Sequence, residues 1–76
     1  MRLTVEVIDS PGKLQDLTGV ICDKGGNIIG LGAMLGSSSE TRTLTIKITG
    51  LSVEEVREAI TPIMEKIIDI REVAGV

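Results

Sequence analysis

Histidine and all three aromatic residues are missing from this 76-residue chain, and it has only one cysteine, Cys22. Without histidine, hydrolytic triads and the common zinc sites lose their usual base or ligand. A single cysteine cannot form an internal disulfide, and one thiol fits a reducing, cytoplasmic compartment. We therefore expect no catalytic residue, no metal and no cofactor, and a protein that is not an enzyme.

Charge and hydropathy patterning argue against two classes of partner. The chain has 8 basic and 11 acidic residues, and its basic residues are scattered singly, whereas nucleic-acid binders cluster them. It also has no aromatic side chain on which a base could stack. No apolar run approaches the roughly 20 residues needed to cross a bilayer, and Arg2 and Glu6 interrupt the first apolar stretch. We expect binding to neither nucleic acid nor membrane.

The length of the chain limits the number of domains and the size of the core. A chain of 76 residues predicts one domain, residues 1–76. Domains of this size bury only roughly 60% of their unfolded surface, so they often depend on a disulfide, a metal or a partner chain. Because the composition leaves only the last of these, we expect a homodimer or a higher oligomer.

The first half of the sequence alternates strand and helix signals. Residues 2–8 alternate polar and apolar side chains, which predicts a half-buried strand. Apolar residues at helical spacing predict a helix from about residue 12 or 13 to Lys24, closed by two glycines. Residues 27–35 predict a second strand.

That second strand carries Gly30 and Gly32 on one face. Glycines inside a strand indicate either the close approach of another backbone or ligand, or a bulged strand. The sequence leaves both interpretations open.

The second half predicts a strand at residues 42–49 and a helix that starts after a Ser52–Glu55 capping box. The apolar stripe of that helix continues to Ile67, and we expect Pro62 to bend the helix rather than end it. A fresh helix capped by Thr61 is the alternative. The last strand is expected to contain the apolar residues Ile68, Ile70 and Val73.

This order predicts an α+β fold, a ferredoxin-like βαββαβ sandwich with a four-stranded antiparallel sheet and two helices on one face. The first and third strands should be central and the other two should be edges. An exposed apolar edge strand promotes aggregation unless something covers it. We therefore expect the second strand to meet a second chain, through an interface at Ile29, Gly30, Leu31 and Gly32.

Three segments carry a resemblance to a known family: VEVIDSPGKL at 5–14, LTGVI at 17–21 and GGNII at 25–29. Together they resemble the ACT domain family, in which a strand leads into an Asp-x-Pro-Gly-x-Leu turn and a helix, and Gly-x-Asn-Ile enters the next strand. The likeness is dense over about the first thirty residues, and the remaining elements agree in order and length.

The resemblance implies a regulatory domain that binds an amino acid or related small-molecule effector, usually between paired domains. It also implies fusion to a larger protein, for example as the C-terminal ACT module of a CBS-domain, acetoin-utilisation-like protein. Transferred by position, the ligand contacts are Asp9, Ser10, Pro11, Gly12, Leu14, Asn27 and Ile28.

The same residues have physical reasons to bind a zwitterion. A helix that begins near Gly12 presents unpaired N–H groups to a carboxylate, and the Asn27 amide both donates and accepts. An alternative is that residues 9–12 form only a turn and cap, and that Asn27 only enters a strand. At the level of the whole chain, the alternative is an interaction module that dimerises its host without a ligand.

Overall fold

Alternating side chains place one face of each central strand against the helices. The computed structural model describes residues 1–8, 12–64 and 66–72. Its elements are β1 (Arg2–Ile8), α1 (Lys13–Asp23), β2 (Asn27–Leu35), β3 (Thr41–Thr49), α2 (Val53–Ile60) and β4 (Lys66–Arg71). The sheet order is β2-β3-β1-β4, with every neighbouring pair antiparallel. The predicted ferredoxin-like fold is confirmed, including the central positions of β1 and β3.

The core is entirely aliphatic apart from one methionine. Alternate residues of β1 and β3 pack in one cluster with the buried residues of the two helices, and Met64 belongs to the same cluster. The buried residues are Leu3, Val5, Val7, Leu17, Ile21, Leu44, Ile46, Ile48, Val56, Ile60 and Met64. No residue of β2 or β4 belongs to this buried set. The side chains of the two edge strands that pack against the core are therefore only partly buried.

Helix α1 ends in a Schellman motif, as the two glycines predicted. Gly25 has a φ of 93°, a conformation that glycine adopts without strain. The N–H of Gly25 donates to the Cys22 carbonyl at 2.9 Å, and the N–H of Gly26 donates to the Ile21 carbonyl at 3.0 Å. These two bonds turn the chain sharply into β2.

Helix α2 begins as predicted and ends earlier than predicted. Ser52 Oγ accepts from the Glu55 N–H at 3.1 Å, and the Ser52 N–H donates to Glu55 Oε1 at 3.0 Å, which completes the capping box. These bonds hold the pKa of Glu55 below its usual range. The predicted continuation to Ile67 is wrong, because α2 ends at Ile60.

Proline explains the early end of α2. Pro62 has no N–H to continue the helical ladder, and its ring crowds the carbonyl four residues earlier. The N–H groups of Ile63 and Met64 both donate to the Ile60 carbonyl, forming a closing turn. Neither the predicted bend nor a second helix capped by Thr61 is present.

The last strand also starts earlier than predicted, because Ile67 belongs to β4. A register shift lets Ile67 pair with Val5 and Asp69 with Thr4, so Ile68 is an additional residue on β4 and is half exposed. The predicted member Val73 lies outside the described residues.

On the outer face of the sheet, Glu6 of β1 connects two other parts of the fold. Its carboxylate accepts from Ser37 Oγ at 2.5 Å and lies 3.6 Å from Lys66 Nζ, and its side chain is only 10% exposed. The Ser37 hydroxyl is the main cause that holds the pKa of Glu6 below its usual range, with Thr41 and Lys66 acting in the same direction. Glu6 therefore holds the β2–β3 hairpin and β4 together.

We expect Glu6→Gln to lower the free energy of unfolding at neutral pH and to flatten its dependence on pH in the acid range. A lowered pKa favours the folded state above the usual glutamate pKa of about 4.3, and this contribution is lost as the pH falls. Urea unfolding across the acid range measures both effects. Glu40→Gln is the control, because Glu40 is exposed. Equal pH profiles for the two variants would contradict the role of Glu6.

Candidate functional site

The turn between β1 and α1 is built around Gly12. This residue caps α1 with a φ of 93°, and its carbonyl accepts the first helical bond, from the Asp16 N–H at 2.8 Å. A Cβ added to Gly12 would meet no atom within 4 Å. The backbone conformation therefore favours glycine here, and no described atom occupies the space beside it. Asp9, Ser10 and Pro11, which were predicted as ligand contacts and as possible caps, lie outside the described residues.

A groove opens beside this turn, at the end of the sheet where β1 finishes. We call it the β1–α1 groove. Leu14 contributes to it from the first turn of α1, so this predicted ligand contact borders an open space. Most of the lining side chains are aliphatic, and two of them, Lys13 and Arg42, are cationic. The lining residues are Val7, Ile8, Lys13, Leu14, Ala33, Arg42 and Leu44.

Sequence reasoning missed Lys13 and Arg42, although one signal for Arg42 was present. Arg42 precedes Leu44 by two residues, so it lies on the sheet face that faces the helices. A charged side chain is unusual on the sheet face that carries the buried aliphatic residues of β3, so its position in the alternation was a signal that Arg42 is a candidate functional residue. Its Nη1 donates to the Thr41 carbonyl at 2.9 Å and to the Ser39 carbonyl at 3.4 Å.

Asn27 and Ile28 lie at the opposite end of the same sheet. Asn27 pairs with Thr49, whereas Leu35 pairs with Arg42 beside the groove. With about 3.3 Å per residue, the two ends of β2 are about 26 Å apart. Within one chain, therefore, the structure does not bring Asn27 and Ile28 near Gly12 and Leu14.

The strand that connects these two ends has an uncovered apolar edge. Ile29, Leu31, Met34 and Leu35 are 51%, 48%, 65% and 74% exposed. Because β2 lies at the end of the sheet order, its outer N–H and C=O groups face no other strand within the described residues. We call this outer side of β2, with its free backbone groups and exposed apolar side chains, the β2 edge.

The geometry confirms the bulged-strand interpretation of the β2 glycines, whereas the close approach of another backbone or ligand stays a prediction. The register shifts between Ile28 and Gly30, so Ile29 is an additional residue and the strand is bulged. A Cβ on Gly30 would lie 3.5 Å from Lys47 Cδ, whereas one on Gly32 would meet nothing within 4 Å. A Cβ at Gly30 would therefore make only ordinary contact with the Lys47 stem, and the space beside Gly32 is open among the described residues.

Within residues 1–8, 12–64 and 66–72, no three acidic, cysteine or histidine side chains are grouped in a way that would hold a metal ion. None of the helices in the described part of the chain combines the length and apolarity that a bilayer crossing requires.

The βαββαβ order and the sheet order define a small ferredoxin-like domain. Within that class, the chain belongs to the ACT domain family, because the model for the TTHA0829-like ACT domain matches residues 1–71. ACT domains are regulatory, non-catalytic domains that bind small-molecule effectors. No curated protein matches the chain at a significant level.

We expect Gly12→Ala to destabilise the domain by about 1–2 kcal/mol, because a side chain at positive φ is strained. Gly19→Ala is the matched control. It lies inside α1, where a Cβ meets no atom within 4 Å, so it should stabilise the domain by about 0.5–1 kcal/mol. Urea unfolding at one protein concentration measures both changes. Equal effects of the same sign would contradict the assigned role of Gly12.

Proposed function

We propose that this chain is a cytoplasmic regulatory domain that binds an amino acid or a closely related small molecule between two copies of itself. It acts as a homodimer or as part of a larger protein and is not itself an enzyme. The observation that carries the proposal is the division of the candidate site between the two ends of β2. Gly12 and Leu14 lie near one end, and Asn27 and Ile28 lie at the other.

Two copies related by a twofold axis would bring the two parts of the candidate site together. Twofold interfaces use the same surface on both copies, and two edge strands that pair across such an axis are antiparallel. Strand β2 has nine residues with Leu31 at its centre. Pairing about Leu31 would bring Asn27 of the partner subunit beside Leu35, at the end of the sheet where the β1–α1 groove opens.

The β2 edge also needs a cover. Long apolar edge strands are normally paired, shielded or interrupted by charge, and residues 27–35 contain no charged residue. Pairing two copies would satisfy the free backbone groups and cover Leu31 and Leu35 in one step. The interface in this proposal is formed by Ile29, Gly30, Leu31 and Gly32 with the neighbouring exposed residues of the strand.

The ligand would then lie between the turn of one copy and the strand start of the other. Backbone N–H groups at the start of α1 suit a carboxylate, and the Asn27 amide has both a donor and an acceptor for the polar groups of a zwitterion. The proposed contacts are Asp9, Ser10, Pro11, Gly12 and Leu14 from one subunit, with Asn27 and Ile28 from the partner subunit.

Thermal unfolding against a panel of amino acids at millimolar concentration tests the ligand. A ligand present at 100 times its dissociation constant stabilises the folded state by about 2.7 kcal/mol, so the melting temperature should rise by several degrees. Sedimentation on the same samples should give the mass of a dimer. A dimer with no response to any amino acid would favour the ligand-free interaction module, and a monomer would contradict both functions.

Gly32→Glu tests the interface. It places a charge in the middle of the β2 edge, and twofold pairing would bring two such charges close together. We expect it to produce a monomer and to abolish the thermal response. Arg57→Gln, which changes the net charge by the same amount on an exposed part of α2, should change neither. An unchanged dimer mass for Gly32→Glu would rule out pairing through β2.

A further inference from the structure

The outer face of the sheet, opposite the two helices, carries a row of three basic residues. Arg2 of β1 is paired with Lys47 of β3 on one side and with Arg71 of β4 on the other. Directly paired residues share a face of the sheet, and the buried neighbours Leu3 and Ile46 occupy the inner one. We propose that this basic row, formed by Lys47, Arg2 and Arg71, binds a short chain of phosphate groups.

The sheet register brings these residues together, although they lie far apart in the sequence. Neighbouring strands are about 4.8 Å apart, so the three Cα atoms span about 10 Å across β3, β1 and β4. Lysine and arginine side chains are long enough to meet at one ligand over this span. The row therefore concentrates positive charge on a chain whose overall charge is −3.

The basic row is unfavourable for the domain without a ligand. Like charges that face each other on neighbouring strands destabilise a sheet. Among the described residues, the side chains of Arg2 and Lys47 form neither a hydrogen bond nor an ion pair. Arg71 bonds to Asp69 through Nε, which leaves its Nη groups for another acceptor. An anion bound across the row would offset the repulsion and gain charge-assisted hydrogen bonds.

The residues around the basic row favour phosphate over an aliphatic carboxylate. Thr4 and Thr45 are paired with each other next to the row, and their hydroxyls add hydrogen-bond donors. On β2, Gly30 is opposite Lys47, so the row continues into a position without a side chain. Neither the row nor these threonines present the apolar surface that an aliphatic skeleton would need. A group rich in oxygen and charge fits these surroundings better.

The extent of the basic row limits the size of the ligand. The rest of the same face carries Glu6, which pairs with Lys66, and Asp69, so positive charge is not spread over it. Nucleic acids are bound through many phosphate contacts, and the chain has no aromatic side chain on which a base could stack. Two or three linked phosphates match a row of about 10 Å, and arginine binds phosphate with two parallel hydrogen bonds.

Titration calorimetry of the full chain with phosphate, pyrophosphate and tripolyphosphate tests the site. We expect affinity to rise with the number of phosphates and to fall as the salt concentration is raised. Citrate at the same ionic strength is the control for a polyanion without phosphate, and it should bind more weakly than tripolyphosphate.

ATP distinguishes two sources of the same phosphate chain. If ATP binds at least as tightly as tripolyphosphate, the ligand is a nucleotide. If ATP binds more weakly, the ligand is free polyphosphate, because the nucleoside then hinders binding. Both results support the basic row as a phosphate site, provided that the variants below lose the binding.

Arg2→Gln, Lys47→Gln and Arg71→Gln should each weaken tripolyphosphate by about fivefold, as expected for exposed ion pairs. The triple variant should show no binding. Lys24→Gln and Arg57→Gln are the matched controls, because each removes one exposed cation from the helical side of the domain. Both should bind tripolyphosphate like the wild type.

Thermal melting without ligand separates a binding role from a structural one. Lys47→Gln removes a like-charge contact, so it should raise the melting temperature of the unliganded domain while it weakens tripolyphosphate. A lower melting temperature with unchanged affinity would instead show that Lys47 is structural and would contradict the site.

Four further results would overturn this inference. They are no binding of pyrophosphate or tripolyphosphate, wild-type affinity in the folded triple variant, citrate that binds as tightly as tripolyphosphate, and a single-stranded oligonucleotide that binds more tightly than either. None of them bears on the proposed function, because the β1–α1 groove includes residues of the opposite face of the sheet and the amino-acid panel is measured without phosphate.

Discussion

The structure depends on how two helices cover a four-stranded sheet. The aliphatic side chains of α1 and α2 bury the inner faces of β1 and β3 almost completely, and this burial is the main source of stability that the chain has. The same two helices leave β2 outside the fully buried core. Everything proposed for function follows from this incomplete cover, because it leaves an apolar strand next to an open groove.

The uncovered strand also explains why the candidate site is divided. Strand β2 pairs with β3 from Asn27 to Leu35, so its two ends lie about 26 Å apart. A ligand-binding residue at its start cannot meet the turn after β1 in the same chain. The proposed antiparallel pairing of two copies would remove the separation without any change in the fold, and it would cover the apolar edge at the same time. One contact would therefore complete the sheet and the pocket.

Much of this fold could be predicted from local sequence signals. The alternation of Leu3, Val5 and Val7, the glycines after Lys24 and the Ser52–Glu55 capping box each specify their own segment. The end of α2 could not be predicted in the same way, because the apolar stripe is continuous across Pro62. Periodicity indicates which face of an element is buried, but loss of one backbone donor decided where this helix stops.

The site was less predictable than the fold, for a related reason. Gly12 and Leu14 are marked by a local motif, whereas the groove also takes residues from β2 and β3 that only the sheet register brings together. Arg42 shows this clearly. Its sequence position places it in phase with Leu44, but its proximity to Lys13 depends on how α1 packs over the sheet.

Interchain disulfide formation tests the central claim most directly, namely that two copies pair through antiparallel β2 strands. In a Cys22→Ser background, Asn27→Cys and Leu35→Cys combined in one chain place the thiols about 26 Å apart within that chain, too far for an internal disulfide. Pairing about Leu31 predicts efficient covalent dimers from this double variant and none from either single variant. A covalent dimer that forms equally well from the single variants, or no covalent dimer at all, would contradict the account.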